Sequence, residues 1–192
     1  MKHRHFKLFK PYGYLSQFQT NARHEINKKF LGELYNFPEG TMAIGRLDKD
    51  SEGLLLLTTD GKVSFDITSS KTDKEYYVQV DGEISNDAVL ALEQGVNISH
   101  KSETYTTKPC QVFQLKEVPD FPERGKKIRD ERHGKTSWIS ITINEGKFRQ
   151  VRKMTAQVGF PTLRLVRVRI GSVTLDGLKM GEVQELSQDV RI

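Results

Sequence analysis

The chain has 192 residues, 36% of them hydrophobic and 29% charged, with a formal net charge of +5. That is enough apolar surface for one folded domain and argues against wholesale disorder. The single cysteine excludes an intramolecular disulfide and is typical of a reducing compartment. With no apolar leader and no run long enough to span a membrane, we expect a cytoplasmic protein without membrane contact.

Strand signals dominate the first half of the chain. Residues 6–18 begin with aromatic and aliphatic residues and break at a Pro-Tyr-Gly turn, which predicts a strand running into a turn. GLLLLTTDG (53–61) predicts a fully buried strand that ends in an Asp-Gly turn. Residues 62–69 fit a short helix, and KEYYVQVDGEI (74–84) alternates like a strand. SNDAVLALEQGV (85–96) predicts a helix with a serine N-cap and a glycine at its end.

Further strand-like stretches follow at 103–117 and 137–144, separated by a basic loop at 121–135. In KFRQVRKMTAQV (147–158), helical spacing places one set of residues on an apolar face and a basic set on another. The apolar set is Phe148, Val151, Met154 or Thr155, and Val158; the basic set is Arg149, Arg152 and Lys153.

The last strand signal, LRLVRVRIGSVTL, slips phase where Leu165 and Val166 stand side by side. Either a bulge or burial on both faces would explain the slip. Since strand patterns outnumber helix patterns and the helices lie between them, we predict an α+β class with a mostly antiparallel sheet.

Positive charge concentrates in the second half, where 18 Lys and Arg face 11 Asp and Glu over residues 97–192. The segment 121–135 carries six basic residues against three acidic ones, and 161–171 carries three arginines and no acid. A polyanionic partner such as nucleic acid fits this pattern. A solvated basic loop without a partner fits it as well, and charge alone leaves both open.

One acidic position demands explanation: Asp48 in GRLDKDSEGLLLLTTDG (45–61). Residues 48–53 mimic the start of a calcium loop. Position 12 of such a loop must be a glutamate that binds the ion, but here it is Thr59, so the calcium interpretation fails. Zinc is not indicated either, because Cys110 stands alone and the five histidines never pair at helical spacing: His3, His5, His24, His100 and His133. No P-loop, dinucleotide fingerprint or nucleophile elbow occurs, so no cofactor is expected.

Two interpretations of Asp48 remain. It could be a turn residue ahead of a buried strand. Alternatively, it could be a catalyst: a carboxylate repels bound phosphates, so beside a nucleic acid it is better suited to chemistry than to affinity. The neighbouring Arg46 and Lys49 would keep it ionised. The residues themselves leave both interpretations open.

Five segments, taken in order, resemble the pseudouridine synthases, in particular the small-ribosomal-subunit synthase A (RsuA) group. They are Lys10-Pro11-Tyr12-Gly13 for the KP-x-G motif, GRLDKDSEGLLLLTTDG for the central signature, Lys74-Glu75-Tyr76 for the K-x-Y strand, EGKFRQVRKM (145–154) for the EG-x-x-RQ helix, and LVRVRIG (165–171) for the last strand. The resemblance implies that family's α+β catalytic fold: a mostly antiparallel mixed sheet with flanking helices and two lobes around a cleft.

Most members of this group carry an S4-type RNA-binding domain ahead of the KP motif, whereas only nine residues precede Lys10 here. We therefore expect a single catalytic domain over residues 1–192, from the branch that modifies large-subunit ribosomal RNA. The resemblance implies isomerisation of a uridine to pseudouridine without cofactor, metal or energy source, and we expect a monomer. A synthase acting on small-subunit RNA or tRNA, and a catalytically idle RNA-binding protein that assists ribosome assembly, are the alternatives.

The resemblance also implies roles for individual residues. Asp48 is expected to be the catalytic aspartate, Arg152 to pair with it, and Tyr76 to pack on the uracil. Leu165 would form the floor of the pocket, and Arg46 would fill the gap that the extruded base leaves. Phosphate contacts are expected from Arg46, Arg149, Lys153, Arg164 and Arg167, and the basic segment 121–135 is expected to replace part of the missing S4 domain.

Overall fold

The computed structural model describes residues 2–25, 27–69, 72–129 and 131–187. In chain order its strands and helices are β1 His5–Lys10, β2 Met42–Ile44, β3 Glu52–Thr58, α1 Gly61–Ser69, β4 Lys74–Asp81, α2 Asn86–Gln94, β5 Asn97–His100, β6 Glu103–Thr106, β7 Gln111–Gln114, β8 Thr136–Ile143, α3 Gln150–Gln157, β9 Thr162–Ile170, β10 Val173–Thr174 and β11 Val183–Leu186. Short 3-10 turns span Arg23–Glu25, Leu31–Glu33 and Glu131–His133. The first compact unit comprises Met1–Thr72, Pro122–Lys126 and Arg167–Ile192, and the second Asp73–Phe121 and Lys127–Val166.

The first unit is built around β3. Strand β1 pairs antiparallel with both β3 and β11, β2 pairs antiparallel with β3, and β10 with the end of β9. All seven residues of β3 are buried. A strand covered on both faces needs a continuous apolar run instead of alternation, so the leucine run is explained and the predicted buried strand is confirmed.

The core of the first unit combines these leucines with aromatic rings. Phe6 lies opposite Leu57 in the β1–β3 register, and neither side chain is exposed to solvent. The ring centre of Phe37 lies 5.6 Å from that of Phe6 in an edge-on arrangement. Such pairs contribute about 0.5–1.5 kcal/mol beyond their buried area. Aromatic packing thus fixes the loops between β1 and β2 against the sheet.

The second unit is built around an antiparallel β4–β8 pair, which runs from Lys74 opposite Ile143 to Asp81 opposite Thr136. Strand β7 pairs antiparallel with the other edge of β8, and the first residues of β9 lie beside β4. Burial alternates along β4, as the sequence predicted. Strands β5 and β6 form a separate antiparallel hairpin. The mostly antiparallel α+β class is therefore confirmed.

Helix α2 has the predicted caps. The Ala88 N–H donates to the Ser85 hydroxyl oxygen at 3.2 Å, and the helix ends at Gly95, whose φ of 97° is unfavourable for other residues. In β9 the four residues Arg164–Arg167 are all buried. Burial on both faces therefore accounts for the phase slip.

Helix α3 begins later than its sequence pattern suggests, at Gln150. Val151, Met154 and Thr155 are buried as predicted. Phe148 was wrongly placed on the same face: it precedes the helix and is 67% exposed. The physical reason is Arg149, whose left-handed φ of 53° interrupts the helical spacing.

Among the described residues, no helix is long and apolar enough to cross a membrane. The one cysteine, Cys110, is half-buried beside α2, and its Sγ donates to the Leu92 carbonyl at 3.2 Å. Burial raises the pKa of its thiol to about 11.

Candidate active site

Asp48 lies in a short loop, residues 45–51, between β2 and β3 of the first unit. The Ser51 N–H donates to the Asp48 carbonyl at 3.0 Å and closes a β-turn. The acceptor in this turn is the backbone carbonyl of Asp48. The turn and catalytic interpretations of this half-buried aspartate are therefore compatible.

Two anchors hold this loop on either side of Asp48. The Ser16 hydroxyl accepts the Leu47 N–H at 3.0 Å and donates to the Leu47 carbonyl at 2.8 Å. The Gly13 N–H donates to the Lys49 carbonyl at 2.8 Å. Each such bond contributes about 1 kcal/mol. The segment that starts with the KP-x-G motif thus positions Asp48. The sequence did not reveal that Ser16 has this role.

Lys10, the lysine of that motif, is a second residue that sequence reasoning missed. Its side chain is fully buried, and its Nζ donates to the Tyr14 carbonyl at 2.8 Å and the Pro11 carbonyl at 3.0 Å. Burial lowers the pKa of Lys10 to about 7, although the nearby charges of Glu52, Asp50 and Asp48 act in the opposite direction. The ammonium therefore orders the turn that carries Gly13 and Ser16. The motif is visible in the sequence, but the burial of its lysine is not.

The start of β3 approaches β9 so closely that only glycine fits. Gly53 has a φ of 105°, and a Cβ added there would lie 2.2 Å from the backbone oxygen of Arg167. On the adjacent residue, the Arg167 Nε donates to the Leu54 carbonyl at 2.8 Å. Gly53 therefore sets the position of the strand that directly follows the Asp48 loop.

A groove of about 820 Å³ lies beside the exposed Arg46 in the first unit. Its lining includes the rings of Phe18, Tyr35 and Phe37, whose neighbouring centres are 5.0–5.3 Å apart, and the amide of Asn36. This volume is in the range of small-molecule sites. The lining offers both stacking faces and hydrogen-bonding groups.

In the second unit, Tyr76 is 9% exposed and lies opposite Ile141 in the β4–β8 pair. Leu165 is 5% exposed on β9, the neighbour of β4. The side chain of Tyr77, next to Tyr76, points to the other face of the sheet. The centre of its ring lies 6.1 Å from that of the Phe121 ring. Tyr76 and Leu165 are thus both largely enclosed, as a residue against a bound base and a pocket floor would be.

A single carboxylate organises the loop at residues 144–149, ahead of α3. Glu145 accepts the Tyr105 hydroxyl at 2.5 Å, the Lys108 N–H at 3.0 Å and the Gln150 side-chain amide at 2.6 Å. Burial raises the pKa of Glu145, but these three donors outweigh burial and the net pKa is lowered. Sequence reasoning did not single out Glu145, although it opens the EG-x-x-RQ motif.

The basic residues that follow this loop are presented by α3. Arg149 occupies the N-cap position, Arg152 is half-buried in the first turn, and the Lys153 Nζ donates to the Ser99 carbonyl at 2.6 Å. A non-glycine residue in the left-handed region costs about 1–3 kcal/mol, and such residues are typical of functional sites. Glu145 holds the residue that follows Arg149, because it accepts a hydrogen bond from the Gln150 side chain.

Two of the predicted phosphate contacts are not where that role requires. Arg164 is 6% exposed and its guanidinium lies 5.5 Å from the centre of the Phe121 ring, while Arg167 is 3% exposed. A phosphate would reach little of either side chain. We therefore leave both out of the proposed RNA surface and assign Arg167 the strand contact with Leu54.

The basic segment 121–135 is only partly a cationic surface. Arg129 pairs with Asp81, and Lys135 pairs with Glu83 at 3.0 Å. Lys126 and Lys127, in contrast, are exposed. Asp130 of this segment lies outside the described residues. Only part of the positive charge counted in the sequence is therefore in a position to attract an anionic partner.

The predicted site residues fall in both units. Arg46, Asp48 and Arg167 belong to the first; Tyr76, Arg149, Arg152, Lys153, Arg164 and Leu165 belong to the second. The predicted pairing of Asp48 with Arg152 thus joins residues of different units and stays a prediction. Within the described part of the chain, no group of three or more His, Cys, Asp or Glu could hold a metal ion.

Comparison with known proteins identifies the family of this chain. The family model described as RNA pseudouridylate synthase matches residues 5–157, a range that includes Asp48, Tyr76 and Arg152. The ribosomal large subunit pseudouridine synthase E of Xanthomonas axonopodis pv. citri (strain 306) is 43% identical over 173 residues, which cover 89% of this chain and 87% of the relative. The protein of the same name from Vibrio vulnificus (strain CMCP6) is 42% identical over 180 residues, which cover 93% of this chain and 73% of the relative.

A solved structure agrees with these relatives. The crystal structure titled as a pseudouridylate synthase superposes with a TM-score of 0.75 at 29% identity, covering 97% of this chain and 71% of that one. The family model spans most of the chain, and both curated relatives exceed 40% identity. The chain therefore belongs to the RNA pseudouridylate synthase family.

Proposed function

We propose that this protein isomerises one uridine of large-subunit ribosomal RNA to pseudouridine. The observation that carries the choice of RNA is the 43% identity to a relative named as a large-subunit synthase, over nearly the full length of both chains. The reaction breaks the N1–C1′ bond and forms a C5–C1′ bond. C5 loses a proton and N1 gains one, so product and substrate are isomers and no co-reactant is needed.

Asp48 is the proposed catalyst in this reaction. Its carboxylate either adds to C1′ of the ribose or removes the 2′ proton, and both routes need it ionised and held at a fixed position. Support comes from the anchors at Ser16 and Gly13, which hold the backbone on both sides of Asp48. Small errors in the placement of a reacting group are costly, so a loop with this many backbone restraints suits a catalyst.

Tyr76 and Arg152 are proposed to complete the catalytic set. The Tyr76 ring would pack on the uracil, with Leu165 below it, and the Tyr76 hydroxyl would assist loss of the C5 proton. The guanidinium of Arg152 would hold Asp48 charged and oriented. The enclosure of Tyr76 and Leu165 in one unit supports the first of these roles.

RNA contacts are proposed for the exposed Arg46, for Arg149 and Lys153 at α3, and for Lys126 and Lys127. Turning a uridine out of its stack costs about a few kcal/mol, which phosphate contacts offset. Arg46 would fill the gap left by the base, and the groove beside it is large enough for a neighbouring nucleotide. The proposal extends to a monomeric enzyme in the cytoplasm.

The reaction and the catalyst are tested together by tritium release. Deproteinised large-subunit ribosomal RNA labelled at uracil C5 is incubated with the native protein, with Asp48→Asn and with Asp66→Asn. Asp66 is an exposed aspartate on α1 and controls for the loss of one negative charge. We expect release by the native protein and by Asp66→Asn, and none by Asp48→Asn.

Other outcomes have defined meanings. Equal release by Asp48→Asn would retain the enzyme but refute the catalyst. Release only from small-subunit RNA or tRNA would refute the large-subunit substrate. No release from any of these RNAs would favour an idle RNA-binding protein.

The role of the basic segment is tested by changing Lys126 and Lys127 to Gln. Arg129 is unsuitable for this test, because its ion pair with Asp81 makes any change there structural. Affinity for single-stranded RNA should fall, and the slope of log affinity against log salt should flatten by about 0.7 per lost contact. Unchanged affinity and slope would remove the segment from the RNA surface.

A further inference from the structure

Phe148 is a large aromatic ring that lies on the surface instead of in the core. It is 67% exposed, although the spacing of apolar residues around it predicts burial. It stands between Lys147 and Arg149, within the stretch that resembles a catalytic motif. A single exposed aromatic residue needs no explanation by itself. The residues around Phe148, however, point to a function for this ring.

The position of Phe148 is fixed by the backbone on both sides. Arg149 is held in the left-handed region at a φ of 53°, which turns the chain away from the helix axis just after the ring. The Lys147 N–H donates to the Gln150 side-chain oxygen at 2.9 Å, and Gln150 in turn donates to Glu145. The ring is thus presented by an ordered loop, which lowers the entropic cost of binding through it.

Two lysines are held over aromatic rings at this loop. The Lys153 Nζ lies 5.5 Å from the centre of the Phe148 ring and is tethered to the Ser99 carbonyl at 2.6 Å. The Lys147 Nζ lies 4.6 Å from the centre of the Tyr105 ring. Ring faces and carbonyl oxygens orient these ammonium groups without neutralising them. Both charges therefore remain effective toward an anion.

We propose that Phe148 stacks on an unpaired base of the RNA strand that carries the target uridine, while Lys147 and Lys153 contact the phosphates beside that base. This inference rests on the proposed function and adds a base-stacking site to it. Aromatic rings interleaved with cations are how proteins bind single-stranded RNA. The nearby carboxylate of Glu145 accepts three hydrogen bonds within the protein and keeps its negative charge, which the two ammonium groups of Lys147 and Lys153 outnumber. An apolar protein partner would instead require a wide, contiguous apolar patch.

Stacking is tested with a short fluorescein-labelled oligoadenylate strand and with a duplex RNA of equal length. Oligoadenylate contains no uridine, so its binding reports on the surface and not on turnover. We expect Phe148→Ala to weaken binding of the single strand by about 10-fold and to leave duplex binding unchanged, because paired bases offer no free face. Phe148→Trp should bind like the native protein. Lys153→Gln should flatten the salt dependence by about 0.7 in log–log slope.

Phe113 provides the matched control, since it is 58% exposed on β7 of the same unit. Phe113→Ala should bind both RNAs like the native protein. Equal binding of oligoadenylate by Phe148→Ala and the native protein would overturn the proposal, as would equal losses for single strand and duplex, or an equal loss in Phe113→Ala. Failure of the proposed function is distinguishable, because native protein would then release no tritium whatever the Phe148 variants bind.

Discussion

The loop that carries Asp48 and the loop that leads into α3, the helix of Arg152, are held in different ways. The Asp48 loop (residues 45–51) is held by the hydroxyl of Ser16, by the backbone N–H of Gly13 and by the close fit of Gly53. The buried Lys10 in turn holds the turn that carries Gly13 and Ser16. The loop ahead of α3 (residues 144–149) is fixed by one carboxylate, Glu145, which reaches three separate donors. The first depends on backbone hydrogen bonds and on the close fit of Gly53, and the second on one charge.

This difference predicts how each loop fails. A loop held by steric fit is sensitive to added atoms, whereas a loop held by a carboxylate is sensitive to the loss of charge. The two also respond to different pH ranges, because Lys10 titrates near neutrality and Glu145 in acid. Four changes test the comparison.

The largest effect is expected from Gly53→Ala. The new Cβ would overlap the Arg167 backbone and the residue would keep a positive φ. Strain and overpacking together should lower the free energy of unfolding by roughly 2–6 kcal/mol. Urea denaturation measures the change. Gly40→Ala is the control: its φ is 78° but no atom lies within 4 Å, so a loss of only about 1 kcal/mol is expected. Equal losses at both positions would refute the steric argument.

The next effect is a pH dependence from Lys10. Its folded pKa of about 7 lies below the ordinary value of 10.5, so above pH 7 the unfolded chain binds more protons than the folded one. Stability should therefore rise with pH in this range. Relative to Lys10→Met, the native protein should gain roughly 2 kcal/mol between pH 7 and pH 9. Parallel stability curves for the two proteins would show that Lys10 does not titrate there.

Glu145→Gln should destabilise the second loop by about 2 kcal/mol, since an amide cannot accept all three hydrogen bonds. Tritium release should fall roughly 10-fold or more as Arg149 and Arg152 lose their position. The lowered pKa of Glu145 places its contribution above about pH 4.5, so the difference in stability should shrink as the pH falls below that value. The exposed Glu103→Gln on β6 is the control and should change neither property.

The smallest effect on stability is expected from Ser16→Ala, at about 1 kcal/mol. Ser137 is a closely matched control, because its hydroxyl also holds two backbone groups: it accepts the Ile84 N–H at 2.9 Å and donates to the Gly82 carbonyl at 2.8 Å. Both alanine variants should lose similar stability by thermal unfolding, but only Ser16→Ala should lower tritium release. A similar loss of activity in both would mean that Ser16 has no special effect on Asp48.

Local patterns in the sequence predicted most of the regular structure. The leucine run became β3, the alternation at residues 74–84 became β4, and Ser85 and Gly95 cap α2. These features depend on burial or on capping within a few residues, which a sequence displays directly. The short strands β2, β5 and β11 lack such a signal and were missed, since distant pairing partners stabilise them.

Residues whose role depends on tertiary contacts were less predictable. The burial of Lys10 and the anchor at Ser16 depend on which chain segments meet, and no local spacing encodes that. Phe148 was misplaced because a non-glycine residue, Arg149, adopts a left-handed conformation that composition does not announce. Arg164 and Arg167 were counted as surface charge although the fold encloses them. A motif therefore identified the Asp48 signature, but not the contacts that hold it.

The environment of Cys110 has a practical consequence for spectroscopy. With a pKa of about 11, on the order of one in a thousand of these thiols is ionised at pH 8, and the thiolate is the form that reacts with maleimides. An engineered cysteine on an exposed loop would ionise far more readily, with a pKa of about 8.5. A fluorophore or spin label can therefore be attached at a chosen site in the otherwise native sequence, without first replacing Cys110.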